Sequence, residues 1–207
     1  MQNSRDELVR AAGQLFSQKG FYGTSIREIA NARGIRSGSL YAHIESKEDL
    51  LFEIVMTGSD AFIEALAPVL AGPGSAEEKL VAGLKAHIDV VATHLDTSRV
   101  FLHEWLLLSP ERRALVQQRR DRYEAMWTEI IQSGIDEGVF APVSVRYARL
   151  VLLSVANWVY LWYDPTGPLG PGEMAEVLAS LLLSGLKGTG QASMAARQDL
   201  TQAQVRG

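Results

Sequence analysis

Apolar residues recur along most of this chain at the three- and four-residue spacing of an amphipathic helix. Leu8, Ala12, Leu15 and Phe16 show this spacing near the N-terminus, and Gly20 follows the basic last turn where the pattern stops. The strict alternation of a half-buried strand is nearly absent. The pattern predicts an all-α fold of about nine helices, separated by breaks rich in Gly, Pro and Ser.

Hydroxyl residues mark several of the predicted helix starts. Thr24 or Ser25, Ser46 and Ser75 each precede an apolar periodic segment and are followed by an acidic residue within one turn. A side-chain oxygen at this position accepts a free N–H of the first turn, and acidic side chains favour the positive end of the helix dipole. Gly34 ends the short helix that follows Thr24 and Ser25. These signals predict a short second helix and a long fourth helix.

Residues 25–43 read as SIREIANA, RGIR and SGSLYAH, which is the order of a helix-turn-helix reader. Such a unit needs a short helix, a tight turn and a second helix whose first side chains face the edges of the bases. The small residues Ser37, Gly38 and Ser39 would let the second helix approach the floor of the groove closely. We therefore predict a DNA-binding domain over residues 1–47.

The net charge of −4 argues at first against a nucleic-acid partner, but its distribution does not. Residues 1–50 hold seven Lys or Arg against six Asp or Glu, a balance of +1, which leaves −5 for the rest of the chain. Arg27, Arg33, Arg36 and Lys47 lie within the predicted reader. This local excess favours DNA, and the acidic remainder fits a body that does not touch phosphates.

The chain has no cysteine, which excludes a disulfide framework, a cysteine nucleophile and a cysteine zinc site and fits a reducing cytoplasm. Its first ten residues, MQNSRDELVR, lack the apolar core of a signal peptide. The most apolar run, Leu150 to Tyr163, contains Asn157 and is shorter than the ~20 residues that span a bilayer. We expect a cytoplasmic protein without a membrane partner.

The segment from Leu8 to Leu51 closely resembles the DNA-binding domain of the tetracycline-repressor (TetR) family of regulators. It departs from the family pattern at Ala42, where a second aromatic residue is frequent, and at Ile44, where phenylalanine is usual. The matched positions are Ala11, Leu15, Phe16, Gly20, Phe21, Thr24, Ser25, Ile29, Ala30, Gly34, Ser39, Leu40, Tyr41, His43, Ser46, Lys47 and Leu50. The resemblance implies a three-helix reader joined to a helical body that dimerises and binds an effector.

The resemblance also implies which side chains contact DNA. Contacts to bases are implied for Arg27, Arg36, Ser37 and Ser39. Contacts to phosphates are implied for Thr24, Ser25, Tyr41, His43 and Lys47. Base contacts specify the sequence that is bound, whereas phosphate contacts position the protein. The expected partner is a double-stranded palindromic operator that is read by two copies of the chain.

Residues 48–188 are predicted to form the effector-binding and dimerisation domain, and residues 189–207 a flexible tail rich in Gln, Ala and Ser. The last two predicted helices, at about 144–162 and 173–187, are apolar almost all round, as a surface helix of a monomer should not be. Paired with their symmetry mates in a homodimer, they would form a four-helix bundle. The alternative is that they form the core of a monomer.

Aromatic side chains are concentrated in the predicted body, with a few polar groups among them. The aromatic residues are Phe101, Trp105, Tyr123, Trp127, Trp158, Tyr160, Trp162 and Tyr163, and the polar ones are His103, Glu104, Arg119, Arg122 and Asn157. This composition suits a small-molecule pocket, although an aromatic stripe at helical spacing is also ordinary packing. His87 and His94 lie seven residues apart without a nearby carboxylate, so we predict no metal and no cofactor.

Two stretches are similar to a TetR subgroup in which several members respond to acyl-CoA thioesters. They are RDRYEAMW over residues 120–127 and NWVYLWYDPTGPLGPGEM over residues 157–174. Asp164 stands where the subgroup commonly has an arginine. The resemblance implies a pocket lined by Arg122, Tyr123, Trp127, Asn157 and Trp158, to which we add Phe101 and Trp105 from the aromatic cluster. The predicted effector is a small apolar molecule, either an acyl-CoA thioester or a drug-like compound.

No catalytic motif accompanies these features. The sequence has no P-loop, GxSxG or HExxH motif and no supported pair of carboxylates. Glu104 follows His103 directly, and adjacent side chains do not converge on a helix. We predict a ligand-responsive repressor that is not an enzyme. An activator and a ligand-insensitive DNA-binding protein remain open as alternatives.

Overall fold

The computed structural model describes residues 2–40 and 44–187, apart from the side chains of residues 2–4, Ser37, Ser39 and Asp96. Over these ranges the chain forms ten α-helices, one 3-10 helix and no strand, which confirms the predicted all-α fold. The helices are α1 (Gln2–Lys19), α2 (Ile26–Ala32), α3 (Ser37–Leu40), α4 (Lys47–Ala71), α5 (Ala76–Thr93), α6 (Leu95–His103), α7 (Pro110–Asp136), α8 (Val145–Asn157), α9 (Val159–Trp162) and α10 (Pro171–Lys187). The 3-10 helix is Glu104–Leu107. The predicted tail, 189–207, lies outside the described residues.

Serine side chains begin three helices where the sequence predicts them. The hydroxyl groups of Ser25, Ser46 and Ser75 each accept a hydrogen bond from the backbone N–H of an acidic residue three positions later. The carboxylate of that acidic residue accepts the backbone N–H of the serine in return, which completes a capping box. The alternative between Thr24 and Ser25 is thereby decided for Ser25. Gly34 ends the turn after α2 with a φ of 68°, which few other residues adopt without strain.

One predicted helix differs in detail from the observed structure. The segment predicted as one helix over 144–162 is interrupted at Trp158, which separates α8 from α9. Helix α6 is likewise followed directly by the tighter 3-10 helix. Short 3-10 segments are common at the ends of α-helices, where the last backbone groups lose their helical partners.

Helix α4 is the central element of the fold. We call α1–α3 the head and α4–α10 the body; α4 packs against α1 in the head and against α5, α6 and α7 in the body. One buried cluster extends from the head along the first half of α4, and a second joins its second half to α5, α7, α8 and α10. Within the described ranges, α4 is also the one helix long and apolar enough to cross a membrane. That criterion is weak here, because Leu50, Ile54, Phe62 and Leu66 are core residues.

Candidate DNA-binding surface and effector cavity

Helices α2 and α3 are held as a helix-turn-helix by their apolar sides. Ile29, Ala30 and Leu40 are fully buried against the rest of the head. The turn between the helices is closed by the backbone, since the N–H of Ile35 donates to the carbonyl of Ala30 at 3.0 Å. The polar side of the unit is left at the surface, as a reader of DNA requires.

Two of the four basic residues predicted around the reader are exposed. Arg27 on α2 and Arg36 at the start of α3 are at the surface, and neither has an ion-pair partner among the described side chains. Arg33, in contrast, forms an ion pair with Glu7 of α1. Ser25 is exposed as well, although its hydroxyl group is part of the capping box.

Lys47 and Thr24 have their polar groups turned towards the protein. The Nζ of Lys47 donates to the carbonyls of Phe21 and Thr24, at 2.6 and 2.7 Å, and lies 4.3 Å from the centre of the Phe21 ring. Burial lowers the pKa of Lys47. The Thr24 hydroxyl donates to the carbonyls of Leu15 and Gly20, and the residue is almost completely buried. Both side chains fasten the turn between α1 and α2, and their phosphate contacts stay predictions.

The other four residues with predicted DNA contacts are Ser37, Ser39, Tyr41 and His43. The side chains of Ser37 and Ser39 and the whole of Tyr41 and His43 lie outside what the structure describes. Gly38, between the two serines, is exposed, and a side chain there would meet none of the described atoms within 4 Å. This position suits close approach of α3 to a groove.

Contacts of the 3-10 helix and of the start of α7 hold the head and the first turn of α4 in place. The Glu104 carboxylate in the 3-10 helix accepts the backbone N–H of Phe21 at 2.7 Å. At the first turn of α4, Arg112 of α7 forms an ion pair with Asp49, and Glu48 accepts the backbone N–H of Ser109 at 2.9 Å. The pKa of Asp49 is lowered although burial acts to raise it, because Arg112 and backbone N–H groups donate to its carboxylate. The position of the head thus depends on the 3-10 helix and on α7.

The body encloses a cavity between α4, α5, α6, α7 and α8. We call it the effector cavity; about 400 Å³ of space lies between its walls, including the part that opens to solvent. Its walls are formed by Ser59, Phe62, His87, Phe101, Leu102, Arg119, Arg120, Tyr123, Glu124, Leu153 and Asn157. Most of the apolar wall is aromatic, with Phe62 and Phe101 stacked at a centroid distance of 5.3 Å.

A buried polar pair lies in the wall of the effector cavity. The Nδ1 of His87 and the hydroxyl of Tyr123 are 2.8 Å apart. Burial lowers the pKa of His87 to about 3 and raises that of Tyr123, so both groups are neutral near pH 7. A neutral hydrogen-bonding pair of this kind can orient a ligand without attracting a charge.

The structure brings only some of the predicted pocket residues to the effector cavity. Phe101, Tyr123 and Asn157 line it. Trp105 is half-buried at its edge, beside Arg120. The remaining three do not line it: Trp127 is in the core against Gly83, Trp158 is half-exposed, and Arg122 is exposed. The physical reason for Arg122 is helical phase, since α7 turns residues 120 and 123 inwards and residue 122 outwards.

Four residues that line the effector cavity were not predicted from the sequence as ligand contacts: Ser59, Phe62, His87 and Arg120. Ser59 and Phe62 belong to a helix whose apolar pattern indicates only core packing. Arg120 stands three residues before Tyr123, and this spacing on one helical face is the signal that could have identified it. No group of three potential metal ligands is found in the described part of the chain.

A second cleft lies where the head meets the body, and we call it the junction cleft. It has about 870 Å³ of space and is bounded by α1, α4, α5 and α6, including Val9, Ile54 and Val90. Phe62 and Phe101 border both spaces, so this stacked pair separates the effector cavity from the junction cleft. A ligand that displaces the pair would alter the packing between α1 and the body.

Most of the exposed large apolar side chains of the body belong to its C-terminal part. They are Tyr147, Leu150, Val151, Trp158, Leu161, Trp162, Leu169, Val177 and Leu181, which lie on α8, α9 and α10, between α8 and α9, or in the loop before α10. Leu181 has 68% of its surface exposed, and Val151 has 54%. Exposed apolar patches of this kind mark interaction surfaces in soluble proteins.

Comparison with protein families identifies the whole arrangement. A family model described as "Bacterial regulatory proteins, tetR family" matches residues 8–54, and one described as "Tetracyclin repressor-like, C-terminal domain" matches residues 73–186, more than half of the chain. The chain belongs to the TetR family. The resemblance seen in the sequence is thereby confirmed, and this TetR-family chain is a DNA-binding transcriptional regulator with a helix-turn-helix head.

Similar proteins cover the head and the body together. The HTH-type transcriptional repressor KstR2 of Mycobacterium tuberculosis is 28% identical over 187 residues, which are 88% of this chain and 92% of that protein. The solved structure of ketosteroid transcriptional regulator KstR2 from the same organism matches with a TM-score of 0.83 and 26% identity over 89% and 95% of the two chains. AibR, solved in complex with isovaleryl coenzyme A and operator DNA, matches with a TM-score of 0.80 and 28% identity over 87% and 98%.

Proposed function

We propose that this TetR-family chain is a homodimeric repressor that leaves a palindromic operator when a small apolar effector binds in the effector cavity. The observation that supports this proposal most directly is the position of α4. The same helix lines the cavity with Ser59 and Phe62 and fastens the turn of the head through Lys47. A displacement of α4 at the cavity would therefore move the reader.

The proposed switch is a small movement of α4 relative to the start of α7. Lys47 and Phe62 are separated by about 22 Å along the helix at 1.5 Å per residue, so even a slight tilt moves the head by an ångström or more. Glu104 holds Phe21 of the head to the 3-10 helix, and Arg112 holds the first turn of α4 to α7. In a dimer, such a movement changes the separation of the two readers and breaks their register with the half-sites.

The exposed apolar side of the body supports dimerisation through α8 and α10. Tyr147, Val151 and Trp158 recur at helical spacing on one side of α8 and the turn after it, and Val177 and Leu181 do so on α10. Pairing with a second copy would remove these side chains from water and place two heads on one face of the assembly. A C2 dimer of this kind matches the symmetry of a palindromic operator.

For the effector, we propose an acyl-CoA thioester as the class to test first. AibR supports this choice, since it was solved with isovaleryl coenzyme A. KstR2 is described as a ketosteroid transcriptional regulator, which is consistent with an apolar effector. The aromatic wall of the effector cavity would accept the apolar part of such a molecule. A drug-like apolar compound is the competing effector class.

The proposal is tested by fluorescence anisotropy with a labelled duplex from the region upstream of the chain's own gene. We expect tight binding of a dimer, and release when a micromolar acyl-CoA ester or apolar drug is added. A scrambled duplex of equal length controls for binding through phosphates alone. Unaltered operator affinity at saturating effector would refute the switch and favour a ligand-insensitive DNA-binding protein.

A further inference from the structure

Arg120 is a cation in the wall of the effector cavity without a partner of opposite charge. Its guanidinium group lies over the ring of Trp105, 5.0 Å from the ring centre, and 5.8 Å from that of Phe101. The side chain is half-buried, and burial lowers its pKa. Among the described side chains, none forms a hydrogen bond or salt bridge with it.

The carboxylates nearest to Arg120 along α7 are engaged elsewhere. Glu124, one turn further on, forms a salt bridge with Arg149 of α8 at 2.9 Å. Asp121 accepts a hydrogen bond from Gln117 at 2.7 Å. Neither carboxylate forms a salt bridge with Arg120, although both favour its charged form electrostatically and oppose the effect of burial on its pKa.

Arg119, the neighbour of Arg120, lies in the same wall but forms a salt bridge. Its Nε donates to Asp60 of α4 at 3.2 Å. The other titratable pair at the cavity, His87 and Tyr123, is neutral near pH 7. Glu124 also lines the cavity, but its carboxylate is paired with Arg149, so Arg120 is the charged side chain of the described wall without a salt bridge. The desolvation of such a cation is unfavourable.

We propose that the effector carries an anionic oxygen group, a carboxylate or a phosphate, that pairs with Arg120. A planar guanidinium group held between aromatic rings is preorganised for such a group, which it can bind with two parallel hydrogen bonds. The apolar part of the ligand packs against Phe62, Phe101 and Leu153. This inference rests on the proposed function, because it takes the effector cavity to be the effector site.

The same arginine connects ligand binding to the head. Trp105 stacks on Arg120, and the residue before it, Glu104, accepts the backbone N–H of Phe21. Both residues belong to the short 3-10 helix. An anion that draws Arg120 away from Trp105 therefore loosens the element that holds the head in place.

Isothermal titration calorimetry on the full-length protein tests the pairing. The probes are decanoate, decanoyl-CoA, coenzyme A alone and 1-decanol, which share or lack the apolar chain and the anionic group. We expect Arg120→Met to weaken binding of an anionic decanoyl probe by about tenfold or more and to leave 1-decanol unaffected. Arg122→Met is the matched control, since this arginine is exposed on the outer face of the same helix.

The probes also separate the two sources of the anion. Selective loss of decanoate binding assigns Arg120 to a carboxylate, and loss confined to decanoyl-CoA assigns it to a phosphate. Arg120→Lys, which keeps the charge, should recover part of the affinity, and Arg120→Met should melt no lower than the wild type. Equal binding of the anionic probes to wild type and Arg120→Met, or no binding of either decanoyl anion to the wild type, overturns the proposal.

Parallel measurement of operator release distinguishes this inference from the proposed function. If 1-decanol releases the operator and Arg120→Met responds normally, the repressor function stands and the anionic effector does not. If decanoate binds through Arg120 but no probe releases the operator, the binding site stands and the switch fails.

Discussion

The head and the body differ in the kind of side chain that each leaves exposed. In the head, Thr24, Glu28 and, from the first turn of α4, Lys47 satisfy backbone groups of the turns. The exposed side chains of the head include the cations Arg27 and Arg36 and the ring of Tyr22. The body instead leaves apolar side chains exposed on α8 and α10 and keeps an unbalanced arginine inside a cavity.

This difference indicates the kind of partner that each region lacks. An exposed positive surface on a rigid frame suits a polyanion, because binding then requires little rearrangement. An exposed apolar face suits a second copy of the chain, and a cavity with one unpaired cation suits a small anionic molecule. Four substitutions test this contrast.

Leu181→Asp should have the largest effect, because it places a charge in the proposed dimer interface. We expect a folded monomer in sedimentation velocity, since the side chain is exposed in the single chain. Operator affinity should fall by about 100-fold or more, because two linked readers bind far better than one. Leu115→Asp, at an exposed leucine of α7, is the control and should remain dimeric. A Leu181→Asp protein that stays dimeric would remove α10 from the interface.

Lys47→Met distinguishes an internal from a DNA-contacting role for this lysine. The loss of two hydrogen bonds from a charged donor should lower the free energy of unfolding by about 2 kcal/mol, measured by urea denaturation. If Lys47 also reaches a phosphate, the slope of log affinity against log salt falls by about one. Lys85→Met, at a surface ion pair, should cost about 0.5 kcal/mol or less. Unchanged stability with a reduced salt slope would mean that the internal bonds are dispensable.

Arg36→Ala tests the exposed charge of the reader. We expect operator affinity to fall by roughly tenfold in fluorescence anisotropy, with a smaller effect on unrelated DNA if the side chain reads a base. Arg122→Ala removes an equally exposed arginine from the body and should leave both affinities as they are. Equal losses from the two substitutions would indicate a general charge effect and not a contact.

The pH dependence of stability in acid is the smallest of the expected effects, and His87→Phe should remove it. The folded protein keeps His87 neutral down to a pKa of about 3, whereas the unfolded chain binds this proton below its ordinary pKa. The unfolded state thus holds more protons, so the stability of the wild type falls as the pH drops below about 6.5. Between about pH 6.5 and 5.5, the wild type should lose about 1 kcal/mol more than the variant, measured by urea denaturation. His94→Phe, at an exposed histidine, should not change this pH dependence.

The candidate residues show how far the sequence could predict the sites. In the head, the spacing of Ile29, Leu40 and Leu50 correctly predicts their burial. In α7, arginines occur at five positions on several faces, so periodicity cannot tell which of them points inwards. The resemblance therefore selected Arg122, and the structure places Arg120 at the cavity instead. The sequence also does not indicate that the Nζ of Lys47 donates hydrogen bonds to the carbonyls of Thr24 and Phe21, which lie 23 and 26 positions earlier.

The sequence by itself determined the helices, their serine caps at Ser25, Ser46 and Ser75, and membership of the TetR family. These features depend on interactions within one or two turns, which a linear pattern records directly. Only the tertiary structure decided which side chains enclose the effector cavity, which cations stay unpaired, and which apolar faces remain exposed. The physical reason is that five helices, distant in sequence, must pack around the cavity before any of its contacts exists.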